Sequence, residues 1–458
     1  MVSLGAIRRV EGTDLRELRG PAAHPLWGHL PAIIADGPGF LARCGRDYGD
    51  IVPIRAINVR ALLLNHPDHV EEALVARHDA LTKPPIFRRN RSVFGRGVFT
   101  SEGERWRRQR RFAQPAFNRT ALAGYAPVMA DAAQRVVPNW REGEIYDVQR
   151  EMIHVTLTTV AEALFGVGLD DQIDRISTAV GHLIAATAER LNTYFAIPEW
   201  VPTPANRRLR HGARELERVV QDLIAARRAV AGDRDDLLSR YLRAREAEGG
   251  WMSDELVRDE LITFLLTGHE TVALALTWSW YLLGQHPGAE TAFHAELREV
   301  LGGRPPTVED VPRLRYTEAV LNESLRLYPP IWMFARVVTR PTTIGGYRVP
   351  RGRRLVVCPW ALHRDPRFFD DPERFDPGRW LGERSARTPR FAYFPFGSGP
   401  RSCLGAGFAV LEGVILLATI GQHVRFAPQP DHPVTVQSAV TLRPRNGIKA
   451  TVQRRPRP

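Results

Sequence analysis

The sequence predicts a mainly α fold with small β-sheets in a single domain, and three observations carry that reading. Helical periodicity dominates from about residue 102 to 330. Strand-forming pieces come from both ends of the chain, so they are expected to join in a small sheet beside the helical mass, which argues for one domain over 1–458. One long candidate helix, from Ser253 to about Gln285, is apolar nearly all round, the pattern of a buried central helix.

The chain opens extended, with Pro21, Pro25, Pro31 and Pro38 close together. A strand pair is expected over 50–55 and 61–65. A helix should follow from Pro67 through Ala76, since proline suits the first helical position. The helical region breaks at Pro198, Pro202 and Pro204, at Gly249-Gly250 and at Pro305-Pro306. The long helix has a cap in Ser253, acids Asp254 and Glu255 in its first turn, and a stop near Pro287. After Pro330 short strands return at 345–350 and 354–358. A Pro- and Arg-rich meander spans 365–380, one more helix follows Gly405, and strand-like text resumes at His432.

Composition narrows the function classes. The net charge is +12 over 458 residues, and Lys83 and Lys449 are the only lysines. That arginine bias suggests a GC-rich genome, as in many bacteria. Positive charge is scattered, with a cluster at Arg105, Arg107, Arg108, Arg110 and Arg111, and no nucleic-acid motif accompanies it. An acidic protein partner or plain solvation accounts for the excess. No transmembrane anchor is expected: the run 408–420 is short and cut by Glu412, and the first twenty residues are too charged for a secretory leader. Cys44, Cys358 and Cys403 form no C-x-x-C pair, which fits a reducing, cytoplasmic setting. Cys44 and Cys358 read as small buried apolar residues.

Cys403 reads differently. It sits between turn-forming residues and a helix, in Phe396-Gly397-Ser398-Gly399-Pro400-Arg401-Ser402-Cys403-Leu404-Gly405. Glycines at 397, 399, 405 and 407 let backbone pass close to something flat and bulky. Amides at a helix start favour a thiolate over a thiol. Phe396, Gly399, Arg401, Cys403 and Gly405 match the cysteine-ligand signature of the cytochrome P-450 superfamily, and the chain resembles a soluble bacterial member. The resemblance spans nearly the whole chain and is strongest from about 253 to 412.

The resemblance implies a haem-thiolate monooxygenase with the cytochrome P-450 fold, its haem lying between the long central helix and the cysteine loop. Cys403 would ligate the iron of haem b (iron protoporphyrin IX), with Phe396 shielding the sulfur. Arg401 and Arg336, with the pair Trp106 and Arg110 on one helical face, would hold the propionates. Thr267-Gly268-His269-Glu270-Thr271 is similar to the family's oxygen-activation motif, with Thr267 for the usual alanine and Val272 for a common second threonine. Glu270 and Thr271 would relay protons, although a helical threonine is otherwise more often bonded to its own backbone. Glu323 and Arg326, three apart on a helix, with Arg374 of Pro372-Glu373-Arg374-Phe375, resemble the family's buried Glu–Arg–Arg network. They are assigned to structure.

The reaction so implied uses dioxygen and electrons that come indirectly from NAD(P)H, through a ferredoxin or flavodoxin and its reductase, which dock near the 105–111 cluster. The family's substrate regions map onto Phe87, Phe94, Phe99, Phe264, Gly268, Ile331, Trp332, Phe334 and Val440. These make an apolar pocket for a lipophilic substrate, with a terpenoid or similar natural product favoured over a fatty acid. Arg88, Arg89 and Arg91 either meet a carboxylate or are solvated. Two rivals stay open: a peroxide-dependent or non-redox haem-thiolate enzyme, for which Thr271→Ala would be silent, and a non-catalytic haem protein.

Overall fold

The computed structural model describes residues 12–85, 91–168, 172–192, 198–229, 236–246 and 252–455. Contacts gather the chain into two units. One comprises Met1–Pro85, Trp332–Glu373 and Arg387–Cys403, and the other Ile86–Ile331, Arg374–Ala386 and Leu404–Pro458.

The first unit is built on a five-stranded sheet in which Ile51–Ala56, Val59–Leu64, Arg354–Val357, Phe334–Val338 and Leu81–Thr82 lie side by side in that order. The first two strands form the expected hairpin, with Ile54 opposite Ala61, and Leu62, Leu63 and Leu64 are all buried. Val59–Leu64 then runs parallel to Arg354–Val357, which is antiparallel to Phe334–Val338. Helix α1, Leu30–Tyr48, is broken at Asp36, where φ is −156° and ψ is 78°. The Asp36 carboxylate accepts from Gly39 N (2.9 Å), capping a fresh helical start that has Pro38 in its first turn. The helix expected from Pro67 is present over Pro67–Glu71 and continues to Ala76 as a wider π turn.

The second unit is mostly helical. Its long helices are α2 (Gly103–Ala113), α3 (Arg119–Val136), α4 (Val148–Phe165), α5 (Ile173–Asn192), α6 (Pro204–Ala229), α7 (Leu237–Glu246), α8 (Asp254–Gln285), α9 (Pro287–Leu301), α10 (Arg315–Leu327) and α11 (Ala406–His423). Helix α8 starts where its sequence says it should: Ser253 Oγ accepts from Leu256 N at 3.2 Å. Buried residues lie on every side of it, from Val257 to Leu283. Helices α8 and α11 are long and apolar enough to cross a membrane, yet 83% and 72% of their apolar windows are buried, as in core helices.

One expectation is corrected here. The C-terminal strands do not join the N-terminal sheet. Lys449–Arg454 instead lies between Val424–Pro428 and Ile145–Asp147, and Val436–Ser438 pairs only with Leu442–Pro444. The reason is local: α11 runs directly into Val424, so its following strand pairs within the helical unit.

Candidate active site

The cysteine loop belongs to the first unit. Gly397 N donates to the carbonyl of Phe394 (2.9 Å), and Cys403 N donates to that of Phe396 (2.9 Å), closing the loop on itself. The loop is anchored from below by His363, whose buried ring accepts from Phe394 N at 3.1 Å. Gly399 has φ +70°, and a Cβ there would stand 2.0 Å from the carbonyl oxygen of Leu74. Glycine is therefore required by both conformation and space. Gly397, at φ +67°, has nothing within 4 Å of where its Cβ would be.

The three cysteines differ in setting. None is in a disulfide; Cys44 and Cys358 are buried, and Cys403 is exposed. Burial pushes the Cys44 thiol up to about 11 and the Cys358 thiol up to about 12, so both stay protonated. Arg336 and Arg401 are brought together around one small cavity, lined also by Ser398, His78, Leu81 and Lys83. Arg336 lies over the Phe334 ring (5.1 Å) and donates to the carbonyl of Ala335 (3.0 Å). An exposed thiol on a glycine-shaped loop, and two guanidiniums that line one cavity with Ser398 of the same loop, suit a haem: sulfur for the metal, cations for the carboxylates.

The acid–alcohol pair belongs to the second unit, within α8. Thr271 Oγ1 donates to the carbonyl of Thr267 (3.1 Å), and Thr267 Oγ1 to that of Thr263 (2.7 Å). Glu270 does not stand alone. Thr441 Oγ1 donates to its Oε1 at 2.9 Å, and Arg443 forms an ion pair with the same oxygen. His269 between them is buried, and desolvation holds its pKa below the usual histidine range, so it is a neutral core residue. Gly268 faces Val160 of α4, which a Cβ would approach to 3.3 Å. Trp106 and Arg110 share a face of α2, the guanidinium 5.8 Å from the indole centroid.

The structural network needs one correction. Glu323 and Arg326, both fully buried on α10, pair through two hydrogen bonds of 2.8 Å. Arg374 contributes only its carbonyl, which accepts from Arg326 at 3.1 Å, and is otherwise exposed. The buried second guanidinium is that of Arg379, whose Nε lies 3.5 Å from Glu323 Oε1. Asp376 N (3.0 Å) and Trp380 Nε1 (2.9 Å) complete the shell. The signal was in the sequence, because Pro377-Gly378-Arg379-Trp380 repeats the Pro-x-Arg-aromatic pattern five residues later.

The expected pocket residues scatter. Phe94 and Phe99 meet at 5.1 Å between centroids. Phe264 is buried and stacks on Phe117 at 5.7 Å. In the first unit, Trp332 is buried with its ring against Gly37, while Phe334 and Ile331 are half-buried in their respective units. Val440 is exposed. Phe87, with Arg88 and Arg89, lies outside the described residues.

A helical body with small sheets and a glycine-shaped cysteine loop defines a haem-thiolate enzyme class, and comparison with known proteins agrees. The cytochrome P450 family model matches residues 18–452, so the chain belongs to the cytochrome P450 family and is a P450 monooxygenase. It is similar to cyclooctat-9-en-7-ol 5-monooxygenase of Streptomyces melanosporofaciens, at 38% identity over 90% of this chain and 89% of that protein. Cyclooctatin synthase of the same species is 37% identical, over 93% and 94%. Pentalenene oxygenase of Streptomyces avermitilis is 34% identical, over 92% and 94%.

Proposed function

We propose that this monooxygenase, as a single haem-thiolate domain over 1–458, inserts one oxygen atom into a terpenoid or similar lipophilic natural product. The observation that carries the reading is Cys403: one exposed sulfur on a loop closed by its own hydrogen bonds, whose Ser398 and Arg401 line a cavity with Arg336, while the other two thiols are buried. The names of the relatives support the substrate class, since one oxygenates cyclooctat-9-en-7-ol and another pentalenene.

Cys403 would hold the iron, and Arg336, Arg401, Trp106 and Arg110 the propionates. When bound, the haem supplies dioxygen activation and oxygen insertion, and the protein supplies position, proton supply and exclusion of water. Thr271 Oγ1 turns from the Thr267 carbonyl to donate its proton on the substrate side. Arg443 and Thr441 fix the direction in which the Glu270 carboxylate presents its second oxygen. Phe94, Phe99 and Phe264 offer aromatic surface that binds apolar skeletons and keeps water out.

Electrons would come from NAD(P)H by way of a reductase and a ferredoxin or flavodoxin. A groove of about 620 Å³ in which Arg96, Arg105, Arg107, Arg108 and Arg111 outweigh Glu104, Glu255 and Asp259 suits an acidic carrier. The test is spectroscopic. Reduced, carbon-monoxide-treated protein should give the red-shifted thiolate Soret band, and Cys403→Ala should lose it. A terpenoid panel should then shift the spin state where fatty acids do not; the reverse order would remove the substrate proposal.

A further inference from the structure

We propose that Glu260 is a positioning residue for the proton supply of this site, feeding Thr271 through a file of hydroxyls, Thr263 and Thr267, along one face of α8. The inference rests on the reading that Thr271 delivers a proton.

Residues 260, 263, 267 and 271 are spaced three, four and four apart. At 100° per residue they fall within an arc of about 80°, and at 1.5 Å per residue the file runs about 16 Å. Neighbours at such spacing stand about 5–6 Å apart at Cβ, a gap that one water spans. Beyond spacing, the outer end of the file is unsatisfied. Glu260 is fully buried; its Oε2 accepts from Val98 N at 3.0 Å, and the Gln109 side chain lies beside the carboxyl, yet its Oε1 has no well-aligned hydrogen bond among the described residues. Thr263 Oγ1, buried to 1% exposure, likewise has none. Gly97 lies so close to that hydroxyl that a Cβ would come within 2.3 Å of it.

A carboxyl kept only to hold the 95–101 loop would need one oxygen. Leaving a second buried and unmatched costs about 1–3 kcal/mol, as a rule, unless it serves something. Tyr241 from α7, whose buried hydroxyl is also unmatched, faces the same carboxyl, and the Gln109 amide from α2, which donates to the Arg96 carbonyl at 2.7 Å, also lies beside it and favours its charged form. Such a nest is a place for ordered water. The titratable neighbours are Asp259 on the same helix and Tyr241; the loop contributes amides.

Burial pushes the Glu260 carboxyl up to about 8, so near neutrality it carries the proton it would donate. Its way in from solvent is short. The adjacent Asp259 lines the arginine groove and accepts from Arg96 N at 2.7 Å. Each proton leaving Thr271 Oγ1 is replaced from Thr267, then Thr263, then Glu260, through the intervening waters. Glu260 recovers its proton from water at the groove. Only O–H bonds break and form, and no electrons move along the file.

The test uses the holoenzyme. Glu260→Gln keeps the volume and an acceptor for Val98 N, and Thr263→Val keeps the shape. Both should lower product formed per electron pair severalfold, raise peroxide release and change the solvent deuterium isotope effect; Glu260→Asp should restore much of it. Independently of turnover, infrared difference spectra of the resting protein should show a protonated carboxyl band that Glu260→Gln removes. Wild-type coupling and isotope effect in both variants, with Thr271→Ala still uncoupled, would overturn the proposal alone. A silent Thr271→Ala would overturn the reading beneath it as well.

Discussion

The hydroxyl of Thr441 reaches the carboxylate of Glu270 at 2.9 Å, across 171 positions of sequence, and ties the hairpin Val436–Ser438/Leu442–Pro444 to the middle of α8. The hairpin is fastened twice more, since Trp278 Nε1 donates to the Leu442 carbonyl (3.4 Å) and Leu442 N to that of Pro330 (2.9 Å). A segment expected to touch substrate is thus coupled to the acid expected to manage protons.

That coupling makes Arg443 the first residue to change. Its partner Glu270 is largely buried, with 12% side-chain exposure, so removing the guanidinium strands a carboxylate. Arg443→Met should cost about 3 kcal/mol, the size of loss seen when one partner of a buried pair is deleted. Glu270→Gln in the same background should recover part of it, because the orphaned charge is then gone. Denaturant unfolding of the four proteins of this cycle measures both effects; an additive cycle would show that the pair carries no coupling.

The two candidate arginines of the network give a sharper contrast. Arg374→Ala should change stability by no more than about 0.5 kcal/mol, since its side chain is exposed and its carbonyl survives. Arg379→Ala should cost about 3 kcal/mol, leaving Glu323 with one guanidinium fewer in a fully buried setting. Equal losses would contradict the assignment.

These contrasts show what was legible beforehand. The cysteine loop was, because its glycines, arginine and cysteine are local in sequence and each has a separate reason to be there. The bounds of α8 were, because Ser253 caps it and Pro287 ends it. Arg379 was not, since two Pro-x-Arg-aromatic patterns lie five residues apart and only burial distinguishes them. Arg443 and Thr441 were not, because pairing over more than 170 positions leaves no local trace. Glu260 was hidden by the helix itself: an acid on a helix that is apolar on every side looks like an exception until its unmatched oxygen is seen.

Glu260 also has a signature in stability against pH. Its folded pKa is raised to about 8, chiefly by desolvation, above the 4.5 of a free glutamate. The folded state therefore holds a proton that the unfolded state has released. The contribution is fully present below about pH 4.5 and is lost as pH climbs through 8. Between those values wild-type stability should fall more steeply than that of Glu260→Gln, by up to about 1.4 kcal/mol per pH unit. Glu412, also buried and raised by desolvation, is common to both proteins and cancels from the comparison. Parallel pH profiles in urea melts would remove the buried proton.

At Gly399 an alanine meets two separate penalties: a left-handed φ of +70°, and a Cβ 2.0 Å from the Leu74 carbonyl oxygen. The first alone costs about 1–2 kcal/mol. The second is met by backbone, which cannot swing aside as a side chain would, so the loop itself must move. Gly397→Ala meets a similar φ of +67° but open space. Gly399→Ala should therefore lose haem retention and thiolate spectral character, while Gly397→Ala should keep both with a modest drop in melting temperature. Haem content per protein and the carbonyl Soret position, measured on both variants, separate strain from collision: if the two behave alike, the Leu74 contact has no part in holding Cys403.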